Sequence, residues 1–146
     1  MKFLKVLLAI VAGFVIGSIV NMALIMMSGH VIPPPAGVDV TTAGGLKSSI
    51  HQLEPRHFVF PFLAHALGTL CGAFIAAKLA SKSGWVPPMT VGALFFLGGV
   101  ISARMIPAPT WFIATDLLLA YFPCAWLGYL LAGSHARQTA AGLRSS

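Results

Sequence analysis

Four long apolar stretches dominate this 146-residue sequence. Lysine and arginine occur only near their ends, as Lys78 and Arg104, and only the last stretch is interrupted by an acidic residue. A hydrocarbon core of about 30 Å is crossed by about 20 residues in a helix, which satisfies its own backbone polar groups. The stretches predict transmembrane helices at about residues 6–29, 58–80, 86–106 and 110–132. We therefore expect an all-α integral membrane protein, a four-helix transmembrane bundle in a single domain spanning residues 1–146.

The composition excludes most other classes of protein. With 58% hydrophobic residues and 8% charged ones, the chain lies outside the range of soluble globular proteins. Its nine lysines and arginines are scattered along the chain rather than clustered on one polar face, so we expect no nucleic-acid partner. The lipid bilayer, with its anionic head groups, is the expected partner. Cys71 and Cys124 lie in apolar runs without metal-ligand spacing, which predicts packing residues.

The first apolar stretch follows Lys2 and Lys5, a pattern that also begins secretory signal peptides. The stretch is too long for the apolar region of a signal peptide, and no A-x-A cleavage site follows it. The sequence therefore predicts a retained first helix.

Basic residues in the short connections predict the orientation, because they are difficult to translocate. A cytoplasmic N-terminus places six basic residues inside, Lys2, Lys5, Lys78, Lys82, Arg137 and Arg144, and three outside, Lys47, Arg56 and Arg104. Both termini, including a tail at 133–146, are thus expected on the cytoplasmic face of a prokaryotic inner (plasma) membrane.

The long outer loop, residues 30–57, contains a short amphipathic pattern. Leu46, Ile50 and Leu53 recur at spacings of four and three, which places them on one face of a helix that Pro55 ends. This helix would lie flat on the membrane surface or across the mouth of the bundle. The alternative is a solvated loop with a single helical turn.

Small residues are spaced to let helix backbones approach each other, which is how helices associate in lipid. The packing candidates are Gly13, Gly17, Gly68, Gly72 and Gly128. They predict close packing within one bundle or, alternatively, self-association. Pro61 and Pro123 lie inside predicted helices, where each is expected to bend the helix and leave a carbonyl unpaired.

Four polar residues, one from each helix, are predicted at similar depth in the outer half of the bundle: Asn21, His65, Arg104 and Asp116. One interpretation is a structural ion pair between Arg104 and Asp116, with Asn21 and His65 satisfying each other or backbone groups. The other is a pocket that binds a proton or a small ligand.

His51, Glu54, Arg56 and His57 are further candidates in the outer loop. Divalent metals bind histidine nitrogens and carboxylate oxygens. Such ligands could come from His51, Glu54 and His57 in the loop together with His65 and Asp116. Pro55 interrupts the helix that would align the loop residues, so this spacing is weak evidence for a metal site and we assign no metal ligand. The sequence does not identify a cofactor.

No phosphate-binding loop, HExxH pair, GxSxG elbow or redox CxxC occurs in the sequence. The leading hypothesis is a non-enzymatic accessory subunit of a larger membrane complex, or a homo-oligomer. The alternatives are a small transporter, channel or lipid-handling protein that uses the polar pocket, and a membrane enzyme acting on a lipid-soluble substrate.

The basic-residue distribution generates a topology prediction. A reporter fused after Ser146 is expected in the cytoplasm, and one inserted near Gly44 is expected on the outer side, as read by paired alkaline phosphatase and fluorescent protein fusions. An external C-terminal reporter would contradict the predicted orientation.

Overall fold

The computed structural model describes residues 2–142, with side chains described for residues 2–133. Arg144 and the side chain of Arg137, on which the predicted orientation partly rests, lie outside these limits. All regular elements in residues 2–142 are helical. They are α1 (Lys2–Val31), α2 (Ala43–Ser49), α3 (Val59–Leu79), α4 (Val86–Met105), α5 (Thr110–Leu119) and α6 (Phe122–Gly142), with 3₁₀ turns at Ile50–Gln52, Pro55–Phe58 and Ser81–Ser83.

Four helical spans are long and apolar enough to cross a membrane: Lys2–Val31, Pro55–Leu79, Val86–Met105 and Thr110–Gly133. The ends of α1 and α4 and the starts of α3 and α5 lie at one end of the bundle, which we call the loop end. The fourth predicted helix, 110–132, differs from the structure, in which it is divided between α5 and α6.

Helix α3 lies at the centre of the bundle, in contact with α1, α4 and α6. Its buried residues are all small: Ala64, Ala66, Gly68, Thr69, Gly72, Ala73, Ala76 and Ala77. Small side chains allow three neighbouring helices to approach one backbone, which is the main source of helix association in lipid.

The contact between α1 and α3 is made by the two backbones themselves. A β-carbon on Gly72 would lie 2.6 Å from the Gly13 carbonyl oxygen, and one on Gly68 would lie 2.9 Å from that of Gly17. Added β-carbons on Gly13 and Gly17 would in turn collide with α3 carbonyls. The two glycine pairs therefore set both the distance and the register of these helices.

Gly128 provides the corresponding contact between α6 and α3. A β-carbon there would lie 2.6 Å from the Leu70 carbonyl oxygen and 3.0 Å from the Phe74 nitrogen. The five glycines singled out in the sequence thus all lie at contacts between helices of this chain.

The two prolines have different consequences. Pro61 lies in the first turn of α3, where an N–H has no intrahelical acceptor, so it breaks no hydrogen bond. Pro123 follows the break between α5 and α6 and cannot donate to the Leu119 carbonyl. The Cys124 thiol donates to that carbonyl instead, at 3.3 Å.

The loop helix lies across the mouth of the bundle. Leu46, Ile50 and Leu53 line a cavity together with Phe58 and Ile106, which belong to the loop end. We call residues 43–53 the lid.

Thr42 caps α2 by accepting a hydrogen bond from Gly45 N. Just before it, hydrogen bonds from Thr42 and Thr41 lower the pKa of Asp39 to about 2.

The glycine contact between α1 and α3 predicts opposite effects for two similar substitutions. Gly72→Ala is expected to lower the free energy of unfolding by about 1–3 kcal/mol, because its methyl group overlaps the Gly13 carbonyl. Gly29→Ala, in α1 with open space around it, is expected to raise it by up to about 1 kcal/mol through helix propensity. Reversible unfolding in detergent measures both, and unchanged stability for Gly72→Ala would contradict the backbone contact.

Candidate functional site

A histidine and a carboxylate pair inside the bundle, near the loop end. His65 Nδ1, on α3, lies 2.8 Å and 2.9 Å from the two carboxylate oxygens of Asp116, on α5. The Asp116 side chain is only 6% exposed, whereas that of His65 is 22% exposed. A carboxylate buried in hydrocarbon requires such a partner, since its desolvation is otherwise uncompensated.

Tyr121 completes the cluster. Its hydroxyl donates to Asp116 Oδ2 at 2.8 Å and lies 3.1 Å from His65 Nδ1. In a continuous helix, residues five apart point about 140° away from each other. The break at Ala120 and Tyr121, before Pro123, lets both side chains face His65.

The hydrogen bonds define the tautomer of His65. An ionised carboxylate only accepts hydrogen bonds, so His65 Nδ1 carries the proton and donates it to Asp116. Among the described residues, His65 Nε2 has no hydrogen-bond partner. The ring therefore has one nitrogen held by the protein and a second one free for a ligand or water.

Gly99 on α4 makes room for the cluster. A β-carbon at this position would overlap the Tyr121 hydroxyl and ring. The absence of a side chain at Gly99 thus allows Tyr121 to reach Asp116.

The structure does not bring Arg104 to Asp116. Arg104 is exposed near the end of α4, and within residues 2–133 its guanidinium makes no ion pair. The expected Arg104–Asp116 pair is therefore replaced by a His65–Asp116 pair. The physical reason is that Asp116 faces the central helix α3, where His65 supplies a nearer donor with less flexible side chain to order.

Asn21 lies on the same side of the bundle as His65. It lines a cavity with His65 and Tyr121, yet its amide makes no hydrogen bond within the described part of the chain. Asn21 and His65 are thus neighbours that do not satisfy each other.

The loop candidates serve different purposes. His57 is buried and accepts a hydrogen bond from Glu54 N through Nδ1, while Nε2 lies 3.1 Å from the Pro33 carbonyl oxygen. Both nitrogens are therefore used to hold the loop together. Glu54 and Arg56 form an exposed ion pair, and His51 is exposed.

Residues 2–133 contain no group of three or more metal-ligating side chains close enough to share an ion.

An apolar cavity of about 200 Å³ separates the lid from the His65–Asp116 pair. Its walls come from the lid, the loop end and α1, α3, α4 and α5, and they are mostly apolar. The sixteen lining residues are Ile25, Leu46, Ile50, Leu53, His57, Phe58, Pro61, His65, Gly99, Ser102, Ala103, Ile106, Ala108, Phe112, Ile113 and Asp116. A molecule in this cavity would contact apolar side chains on most sides and the titratable His65–Asp116 pair on one side.

Comparison with protein-family models, with curated proteins and with solved structures found no match to this chain.

The cluster predicts which polar residues are energetically coupled. In a double-mutant cycle, His65→Gln and Asp116→Asn are expected to show a coupling energy of about 1–3 kcal/mol in the free energy of unfolding, because the two side chains touch. The matched cycle of Arg104→Gln with Asp116→Asn is expected to be additive within about 0.5 kcal/mol. Coupling in the Arg104 cycle together with additivity in the His65 cycle would show that Asp116 pairs with Arg104 and not with His65.

Proposed function

We propose that this chain is an integral membrane protein that binds a small lipid-soluble molecule in the cavity beneath the lid. The observation that carries the proposal is the cavity itself, which is apolar on most sides and reaches the pair of half-buried His65 and buried Asp116. Pockets that combine apolar walls with a few convergent polar groups are typical binding sites for small molecules.

The size of the cavity limits its ligand. A volume of about 200 Å³ lies below the roughly 300–1,000 Å³ that is common for drug-sized ligands. A single-chain amphiphile of medium length, or the end of a longer one, suits such a space better than a two-chain phospholipid.

The lid forms one wall of the cavity at the loop end. Ile50 is 6% exposed, and its neighbours Leu46 and Leu53 cover the same space. Residues 32–42 connect the lid to α1, residues 54–58 connect it to α3, and His57 ties the second connection to Pro33.

The orientation and the membrane of this protein remain predictions. With both termini in the cytoplasm, the lid and cavity would face the outer side of a prokaryotic inner membrane. The protein would then receive a ligand from the outer leaflet.

The accessory-subunit and homo-oligomer hypotheses also remain predictions. Helix α1 buries only Ala9, Gly13 and Gly17, so most of its apolar surface faces away from the bundle. Lipid alone can cover that surface, and the glycine contacts are already used within the chain. The cavity is thus the more specific guide to function.

Photolabelling in lipid vesicles tests the proposal. A decanol carrying a diazirine on its chain is expected to label the lid at Leu46, Ile50 or Leu53, and excess unlabelled decanol is expected to suppress this labelling. Ala103→Phe fills the cavity and is expected to reduce lid labelling at least about fivefold, because one aromatic ring occupies much of the space.

Ile101→Phe is the matched control on the same helix, since Ile101 is 57% exposed and does not line the cavity. Peptide mapping by mass spectrometry reads both variants. Labelling confined to lipid-facing residues, or equal lid labelling in Ala103→Phe, would refute binding in the cavity.

A further inference from the structure

A second cavity of about 220 Å³ lies on the other side of His65. It shares His65, Gly99 and Ser102 with the cavity beneath the lid, so the two spaces adjoin at the polar cluster. The second cavity adds Asn21 from α1 and Tyr121 from the break between α5 and α6. We call it the polar cavity.

The polar cavity contains hydrogen-bonding groups that the protein leaves unused. Within the described part of the chain, neither the Asn21 amide nor the Ser102 hydroxyl makes a side-chain hydrogen bond. Asn21 lies ten residues before the end of α1, which corresponds to about 15 Å of helix. A polar group at such a depth is costly without a partner, so the site has a strong preference for one.

The charges around both cavities restrict the class of ligand. No lysine or arginine is among their described lining residues, and the one carboxylate is already paired with His65 and Tyr121. A phosphate or carboxylate head group would find no cation there except a protonated His65. A neutral hydroxyl or carbonyl group, in contrast, can form hydrogen bonds with groups of the Asn21 amide, the Ser102 hydroxyl and the His65 imidazole.

The polar cavity also reaches the lipid-facing surface. Phe14 on α1 and Leu94 on α4 both line it, and each is 39% exposed. A molecule dissolved in the bilayer therefore has a lateral route between α1 and α4 that does not require the lid to move.

We infer that the polar cavity is the head-group subsite for an uncharged lipid-soluble molecule that bears a hydroxyl or carbonyl group. This inference rests on the proposed function, since the chain of the same molecule occupies the cavity beneath the lid. His65 Nε2, Asn21 and Ser102 supply the hydrogen bonds to the head group.

Competition for lid labelling by the diazirine decanol tests the head-group class in vesicles. At equal mole fraction in the bilayer, decanol is expected to compete about tenfold better than decane and than ionised decanoate. A tenfold difference corresponds to about 1.4 kcal/mol of binding free energy. We expect it because only decanol, of the three compounds, carries a neutral hydroxyl group. Equal competition by decane would overturn the head-group subsite and leave the lid cavity standing. Stronger competition by decanoate would overturn the neutral class.

Two variants locate the effect in the polar cavity. Asn21→Leu is expected to remove most of the preference for decanol over decane, whereas Met22→Leu, at a 58% exposed position beside it, is expected to keep it. Gly98→Val is expected to narrow only the polar cavity, because Gly98 lines this cavity and does not line the cavity beneath the lid. The added side chain is expected to be tolerated, because a β-carbon at Gly98 would meet no atom within 4 Å.

Gly98→Val is therefore expected to lower decanol competition without lowering thermal stability. An unchanged preference for decanol in both Asn21→Leu and Gly98→Val would overturn the inference. Loss of all labelling in the unmodified protein would instead refute the proposed function.

Discussion

The backbone contact between α1 and α3 is the constraint on which the rest of the structure depends. Gly13 faces Gly72 and Gly17 faces Gly68, and the two helices are so close that neither has room for a β-carbon at these positions. The same contact fixes their register. A β-carbon on Gly68 would lie 3.0 Å from that of Asn21, which places Asn21 beside the turn of α3 that carries His65.

A second constraint is the cost of Asp116 in a medium that does not solvate charge. The carboxylate is satisfied by two groups from different parts of the chain, His65 on the central helix and Tyr121 in the break between α5 and α6. The break at Ala120 and Tyr121 brings together the side chains of Asp116 and Tyr121, which would point in different directions on one continuous helix. Gly99 completes the arrangement by leaving space for the Tyr121 ring.

The cavity beneath the lid lies away from the glycine contacts of α1 and α6 with α3. Helices α1 and α6 pack closely on α3, whereas the walls of this cavity come from the loop end and include α5 rather than α6. The lid covers the loop end with Leu46, Ile50 and Leu53. The result is an apolar space in contact with the only carboxylate that lies inside a predicted helix, which is why we connect the cavity with function.

The sequence by itself determined the class of the protein, because hydropathy and segment length are properties of single stretches of chain. The four apolar stretches, the packing glycines and the apolar face of the loop helix follow from spacing alone. Only the tertiary structure decided which polar groups meet. Arg104 and Asp116 are closer in sequence than His65 and Asp116, yet the packing of α5 on α3 favours the second pair. Tyr121 joins them only because a helix break, invisible to regular periodicity, rotates it toward His65.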